Sequence, residues 1–328
     1  MPETVQPNVK FIYEPVQTLL GRVDENLKRL AAQANLGEEP ELLAHAVVSG
    51  GKKVRPTITL LAGQIFDGDD DVLVTMATAV ELLHIATLVH DDTVDKADTR
   101  RGRATISNVW GNDVAVLLGD YVFATSATFV CDTGNLRVVR RFSETIMELA
   151  QGELAEFFSV YDWGQSIDDY NKRIYDKTAS LFCTASESGA VLAGAPEDAC
   201  QALRDYGYNL GMAFQIMDDV LDFTSTEEEL GKPVGNDLLQ GTVTLPVLLY
   251  AAQHPDVPEL RRVVEGNHGP ADLQALVEAV RGSSAIGRTF EAIDDYKRKA
   301  QAALMRVPAH RSRASLESLI DYVSHRRS

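Results

Sequence analysis

The sequence predicts an all-α fold in a single domain spanning residues 1–328, and three observations carry it. Apolar residues recur at helical spacing in almost every segment. No stretch shows the strict alternation of a half-buried strand. The breaks between periodic segments, such as Asp132-Thr133-Gly134-Asn135 and Trp163-Gly164-Gln165, are short, as in compact helical domains.

Phe11, Val16, Leu19, Leu20, Val23, Leu27 and Leu30 form the apolar stripe of a first amphipathic helix. A second runs from Pro40 to Val48 and is closed by Gly50-Gly51, which accept the left-handed conformation that ends helices. Pro56, suited to a first turn, opens a third that reaches about Phe66. Asp67-Gly68-Asp69 then interrupts, and the most apolar segment, Val72 to Asp95, follows. Later helices are expected over roughly 107–132, 136–161, 166–193, 197–223, 243–252, 270–281, 284–306 and 312–325. One irregular stretch, Thr224 to Leu245, holds Gly231-Lys232-Pro233, Gly235-Asn236-Asp237 and Gly241, the composition expected of a movable lid. No Pro/Ser-rich linker divides the chain.

A net charge of −17 argues against nucleic acid or an anionic membrane as partner. An anionic substrate must therefore be received by local basic groups or by metal. Cys131, Cys183 and Cys200 have no metal-ligand spacing and read as small core residues of a protein in a reducing cytoplasm. Residues Met1 to Pro15 lack the basic-then-apolar design of a signal peptide. Val72 to His90 is apolar enough to suggest a membrane span, but it contains Glu81 and His84 and runs into aspartates. It is read as a buried core helix, and no transmembrane segment is expected.

Two aspartate clusters share one spelling: Asp91-Asp92-Thr93-Val94-Asp95 and Asp218-Asp219-Val220-Leu221-Asp222. Each ends a long apolar helix. Positions four apart share a helix face, so Asp91 aligns with Asp95 and Asp218 with Asp222. Such crowding is unfavourable unless the charge is neutralised. Two facing groups of hard oxygen ligands suit magnesium carrying a polyphosphate. Basic residues accompany them: Gly50-Gly51-Lys52-Lys53-Val54-Arg55 upstream, and Arg100-Arg101 just after the first cluster. His84 lies two turns before Asp91 and shares its cavity face, whereas His90 is one step off that face and reads as structural.

In order along the chain, Gly50-Gly51-Lys52-x-x-Arg55-Pro56, His84 with Thr87-Leu88-Val89-His90-Asp91-Asp92-x-x-Asp95, Arg100-Arg101-Gly102, Gly119-Asp120, Lys177-Thr178, Phe214-Gln215-x-x-Asp218-Asp219-x-x-Asp222 and Gly231-Lys232-Pro233 resemble the trans-isoprenyl diphosphate synthases. The likeness covers about residues 10 to 327, including Asp321-Tyr322-Val323 and Arg326-Arg327 near the end. It implies an isoprenoid-synthase-type helical bundle around a deep central cavity, as a homodimer, and a Mg2+-dependent reaction with three ions per active site. In that reaction an allylic diphosphate (geranyl, farnesyl or geranylgeranyl) loses diphosphate, and isopentenyl diphosphate attacks the resulting cation.

By position, the resemblance implies metal ligation by Asp91, Asp95 and Asp218, with Asp92, Asp219 and Asp222 in support. Lys52, Arg55, His84 and Arg101 would hold isopentenyl diphosphate, and Arg100, Lys177 and Lys232 the allylic diphosphate. Thr178 and Gln215 would aim oxygen dipoles at the cation. Two departures stand out. Thr242 occupies the place of a lysine in the usual Gly-Lys-x-Thr-Leu-Pro, and Ala104 that of a proline.

Product length is expected to depend on residues deeper in the cavity. A helix rises about 1.5 Å per residue, so Thr87 and Ala86 lie roughly 6 to 7.5 Å beyond Asp91. Both are small, and the wording there is similar to that of longer-chain enzymes supplying quinone side chains. A product of about 20 carbons or longer is expected, with Phe123 or Ala127 setting the final stop. Competing readings are a short-chain farnesyl or geranylgeranyl synthase and, from His90-Asp91, an HD-type metal phosphohydrolase. The latter leaves the second cluster and both basic pockets unexplained.

Overall fold

A computed structural model describes residues 9–324 of the protein, except 35, 37, 38, 40, 48–50, 101, 227, 229–232, 267 and 268. Helix α1 (Val9–Tyr13) passes through a 3₁₀ turn at Glu14–Val16 into α2 (Gln17–Gln33). The stripe read as one helix is thus interrupted at Pro15, whose missing N–H cannot serve an α-helical interior. Leu19, Leu20, Val23 and Leu27 are nonetheless buried on one face. Helices α3 (Leu42–Val47) and α4 (Val54–Gln64) follow, the second entered from Lys53 in a left-handed conformation. Helix α5 (Asp70–Val94) begins where the Asp69 side chain accepts the amides of Asp71 and Val72 at 2.8 and 3.2 Å.

After α5 the chain makes a two-stranded hairpin that the absence of alternation had hidden. β1 (Thr99–Arg100) pairs antiparallel with β2 (Arg103–Ala104). Helix α6 (Ile106–Trp110) is separated from α7 (Asn112–Asp132) by Gly111 at φ +91°, so the expected 107–132 helix is two pieces. Helix α8 (Leu136–Phe158) is capped by Asn135, and α9 (Ile167–Ile174) by a Ser166–Asp169 capping box. One π turn (Tyr175–Ala179) then joins α9 to α10 (Ser180–Leu192), and α11 (Glu197–Thr224) carries the second aspartate cluster. The remainder comprises α12 (Asn236–Leu239), α13 (Leu245–Gln253), α14 (Pro258–Val264), α15 (Pro270–Arg281), α16 (Ser284–Leu304) and α17 (Arg311–Ser324). The short α12 and α14 lie in segments whose apolar spacing is too brief to predict a helix.

Helix α5 packs against α4 and α7, α10 lies against α4 and α11, and α16 backs α11. The two aspartate-bearing helices are therefore positioned by a shared layer, α4 with α10. Tyr170, Tyr206, Phe142, Phe182 and Phe223 are among the fully buried side chains of this core. Both α5 and α7 are long and apolar enough to cross a membrane, but 72% of the apolar window of α5 is buried inside the protein, against 33% for α7. Helix α5 is the core helix expected of it. Cys183 and Cys200 are buried as expected, whereas Cys131 is exposed near the end of α7 and is not a core residue.

Candidate active site

The six aspartates divide by exposure. Asp92, Asp219 and Asp222 are buried, while Asp91, Asp95 and Asp218 keep exposed surface. The buried three are engaged by the protein. Arg100 Nε donates to Asp92 Oδ1 at 2.6 Å, so the hairpin is tied to the end of α5. Asp219 accepts Tyr170 Oη at 2.6 Å on one oxygen and Gln215 Nε2 at 2.9 Å on the other. Asp222 accepts the Asp237 amide at 3.1 Å and its carbonyl takes the Gly235 amide at 2.8 Å, anchoring the loop that follows α11.

Opposite the first cluster stand two acids that belong to none of the sequence motifs, Glu153 and Glu156 on α8. Lys177 Nζ donates to Glu156 Oε1 at 2.6 Å and to Glu153 Oε2 at 3.2 Å. The approach is close because Gly152 has no side chain: a Cβ there would sit 2.5 Å from the Lys177 backbone nitrogen. Burial, reinforced by Glu153, pushes the Asp91 carboxyl well above the usual range. Burial also raises Asp95, with Glu156 adding to the effect. Burial disfavours the charged form of Lys177, but Glu156, Glu153 and Asp91 outweigh it and hold the ammonium above the ordinary lysine range. The sequence signal available was the i, i+3 acid pair beside a glycine on an amphipathic helix.

The π turn Tyr175–Ala179 carries Lys177 and Thr178. Such single-turn insertions occur often at functional sites. Thr178 Oγ1 donates to Gln215 Oε1 at 2.6 Å, which brings the two dipole residues together. In the upstream basic loop, Tyr13 Oη donates to the Lys52 carbonyl at 2.6 Å, and the Lys52 ammonium lies 5.8 Å from the Tyr322 ring centre. The Arg55 guanidinium stacks on Phe182 at 4.7 Å and Phe214 at 6.0 Å, with Nη1 3.3 Å from His84 Nε2. Arg55 and His84 are thereby joined across α4 and α5. Lys53 pairs instead with Asp24. Arg101 and Lys232 lie outside the described residues.

His90 Nε2 lies 3.2 Å from the Val116 carbonyl, and a Cβ on Gly119 would come within 2.2 Å of it, so this histidine packs α5 on α7. Of the residues expected to govern length, Ala86 is completely buried, whereas Thr87, Phe123 and Ala127 are half-buried. Thr87 Oγ1 donates to the His84 carbonyl at 2.8 Å. Thr242, in the place of the expected lysine, is half-buried with its amide on the Asp237 carbonyl at 2.8 Å.

Among the described residues no three acidic, histidine or cysteine side chains form a metal cage on their own. The donor set still fits magnesium, which takes one or two carboxylates, keeps several waters and shares the oxygens of a bound phosphate. Burial, with neighbouring acids adding to it, disfavours the charged Asp91 and Asp95 carboxylates, and a divalent cation would favour that charged form.

A family model for polyprenyl synthetases matches residues 40–281. Heptaprenyl diphosphate synthase component 2 of Geobacillus stearothermophilus is 40% identical over 318 residues, covering 97% of this chain and 99% of that protein. Octaprenyl diphosphate synthase of Escherichia coli is 37% identical over 271 residues, covering 81% of this chain and 83% of the relative. In structure, the polyprenyl synthase of Caulobacter crescentus, solved with calcium and isoprenyl diphosphate, superposes with a TM-score of 0.90 at 34% identity, covering 98% and 99% of the two chains. With a family model matched over residues 40–281 and a 40% identical relative covered almost end to end, the chain belongs to the polyprenyl synthetase family.

Proposed function

We propose that this protein is a prenyltransferase. It joins isopentenyl diphosphate head-to-tail to an allylic diphosphate and yields an all-trans polyprenyl diphosphate of about 20 carbons or longer, for quinone side chains. The observation that carries this reading is the joining of cation and dipoles on one π turn: Lys177 faces the acids of α5 and α8, and Thr178 is bonded to Gln215 beside the second cluster. Names of relatives from heptaprenyl to decaprenyl diphosphate synthase support the longer product.

In this account Asp91, Asp95 and Asp218 hold magnesium, three ions per site, while Asp92, Asp219 and Asp222 hold the groups around them. Bound magnesium supplies Lewis acidity and charge neutralisation for departure of the allylic diphosphate. Arg100, Lys177 and Lys232 grip that diphosphate, and Lys177 leaves its glutamates to do so. Lys52, Arg55, His84 and Arg101 hold isopentenyl diphosphate. Thr178 and Gln215 present oxygen to the allylic cation, where preorganised dipoles act strongly because water is excluded. No side-chain base is required, since the departing diphosphate can take the proton that completes the double bond. Ala86, Thr87, Phe123 and Ala127 bound the path of the growing chain.

The protein works in the cytoplasm as a homodimer. The supporting feature is α7, whose apolar window is only one-third buried, with Val116 and Leu117 exposed on it and Met147 and Leu154 exposed on α8. Exposed apolar side chains on a helix this apolar suit association with a second copy. The Geobacillus relative is called component 2, so a second component is a further arrangement open to this chain. Gel filtration of the purified protein separates monomer, dimer and any mixed assembly. The reaction is tested by release of inorganic diphosphate, which should require Mg2+ and both substrates together. Release from the allylic substrate alone would favour a hydrolase or cyclase.

A further inference from the structure

Tyr170 belongs to none of the motifs that mark the site, yet it ends a chain of hydrogen bonds that reaches the reacting region. It lies on α9, seven residues before Lys177, and its side chain has no solvent exposure. Its hydroxyl donates to Asp219 Oδ2 at 2.6 Å. The other oxygen, Oδ1, takes Gln215 Nε2 at 2.9 Å. Gln215 Oε1 accepts the Thr178 hydroxyl at 2.6 Å. The Tyr170 ring is fixed in turn by Arg173, whose guanidinium sits 5.7 Å from its centre and donates to the Val243 carbonyl at 2.7 Å.

A glutamine amide can fill the same space in two orientations with opposite dipoles. Here the carboxylate of Asp219 accepts only the NH2 end, so Oε1 is turned toward Thr178. Thr178 spends its proton on that oxygen, which leaves the lone pairs of its own hydroxyl for a positive centre. Both dipoles are therefore aligned by one buried carboxylate. A buried carboxylate keeps its place only when its oxygens are satisfied, and Tyr170 satisfies the oxygen that Gln215 does not reach.

We infer that Tyr170 is a positioning residue of the condensation: acting through Asp219, it fixes the Gln215 amide so that Gln215 and Thr178 present oxygen to the allylic cation. The inference rests on the reaction proposed above. Tyr170 touches no substrate in this role, and its contribution falls on the chemical step rather than on binding.

Tyr170→Phe removes the hydroxyl and keeps the ring on Arg173. It should lower kcat by about ten- to a hundredfold while both KM values stay within about twofold. A packing role alone would lower thermal stability and leave kcat per folded molecule unchanged. The decisive comparison places Tyr170→Phe in a Gln215→Leu background, where its cost should shrink to less than about twofold because the group it orients is gone. An unchanged kcat in the single variant, or the same loss in both backgrounds, overturns the relay. Should Tyr170→Phe fail to fold, Asp219→Asn in the same two backgrounds gives the same reading: a loss that disappears without Gln215 supports the relay, and an undiminished one overturns it. Wild-type protein without turnover would remove the reaction itself, whereas an active wild type with an indifferent Tyr170→Phe removes only the relay.

Discussion

The ammonium of Lys177 is bonded to Glu156 at 2.6 Å, so the cation proposed to grip the allylic diphosphate is held by an acid in this structure. Lys177→Ala would leave Glu153 and Glu156 uncompensated opposite Asp91 and Asp95. Loss of charge-assisted hydrogen bonds of about 1.5–3 kcal/mol should raise KM for the allylic substrate by about ten- to a hundredfold. KM for isopentenyl diphosphate should change by less than about twofold. Steady-state kinetics with each substrate varied in turn checks the split, and thermal unfolding should show a lower Tm in the absence of metal.

Asp91→Ala and Asp218→Ala each remove a carboxylate proposed to hold metal. Turnover should fall by several orders of magnitude in either variant, on the order of 10³-fold or more. Helical circular dichroism should be unchanged. Metal-free Asp91→Ala should be no less stable than the parent, because burial and Glu153 already disfavour the charged Asp91 carboxylate. A variant with near-normal turnover would contradict the dependence on both clusters.

The raised carboxyls also set a pH dependence. Burial lifts Asp91 to about 8 and raises Asp95 and Glu153, whereas unfolded carboxyls titrate near about 4. Between those values the folded protein binds more protons than the unfolded chain. Their contribution is therefore present in full below about pH 4 and is lost as pH rises through the raised values. Metal-free protein should lose Tm between about pH 5 and 8 from these groups. Added Mg2+ competes with protons for the same oxygens, so its stabilisation should be larger at pH 8 than at pH 6. Differential scanning fluorimetry at several pH values, with chelator or Mg2+, measures both trends.

Length control is tested one helical turn below Asp91. Thr87→Phe, at a half-buried position, should shorten the product to about 15 carbons while condensation continues. Ala86→Phe places a ring at a fully buried site, so it should shorten the product and also lower Tm as packed neighbours are displaced. Chromatography of the dephosphorylated products reads the outcome. An unchanged distribution in both variants would put the floor elsewhere, with Phe123 and Ala127 the next residues to change.

Much of this candidate site was legible because its residues are spelled as local patterns: the paired aspartates and Lys177-Thr178 stand adjacent in the chain, while Gly50 and Arg101 lie outside the described residues. The all-α class followed from periodicity, and α15 ends where its pattern ends. What stayed hidden depends on partners distant in sequence or on a single backbone distortion. Glu153 and Glu156 look like solvent-facing acids until α8 is laid on the π turn with Gly152 at the contact. The π turn itself interrupts what reads as one continuous helix, since one wider turn barely disturbs apolar spacing. Gly111 divides α6 from α7 through a positive φ that composition alone does not require. Tyr170 reads as ordinary core, and only its 2.6 Å bond to Asp219 distinguishes it.

Chain elongation to a long all-trans product is directly measurable. The most direct measurement incubates the protein and Mg2+ with labelled isopentenyl diphosphate and geranyl, farnesyl or geranylgeranyl diphosphate, then separates the dephosphorylated alcohols by length. Labelled all-trans products of about 20 carbons or longer, centred on about 30–50 carbons, should form only when both substrates and metal are present. Products that stop at about 15 carbons, or allylic alcohol released with no label incorporated, would contradict long-chain elongation.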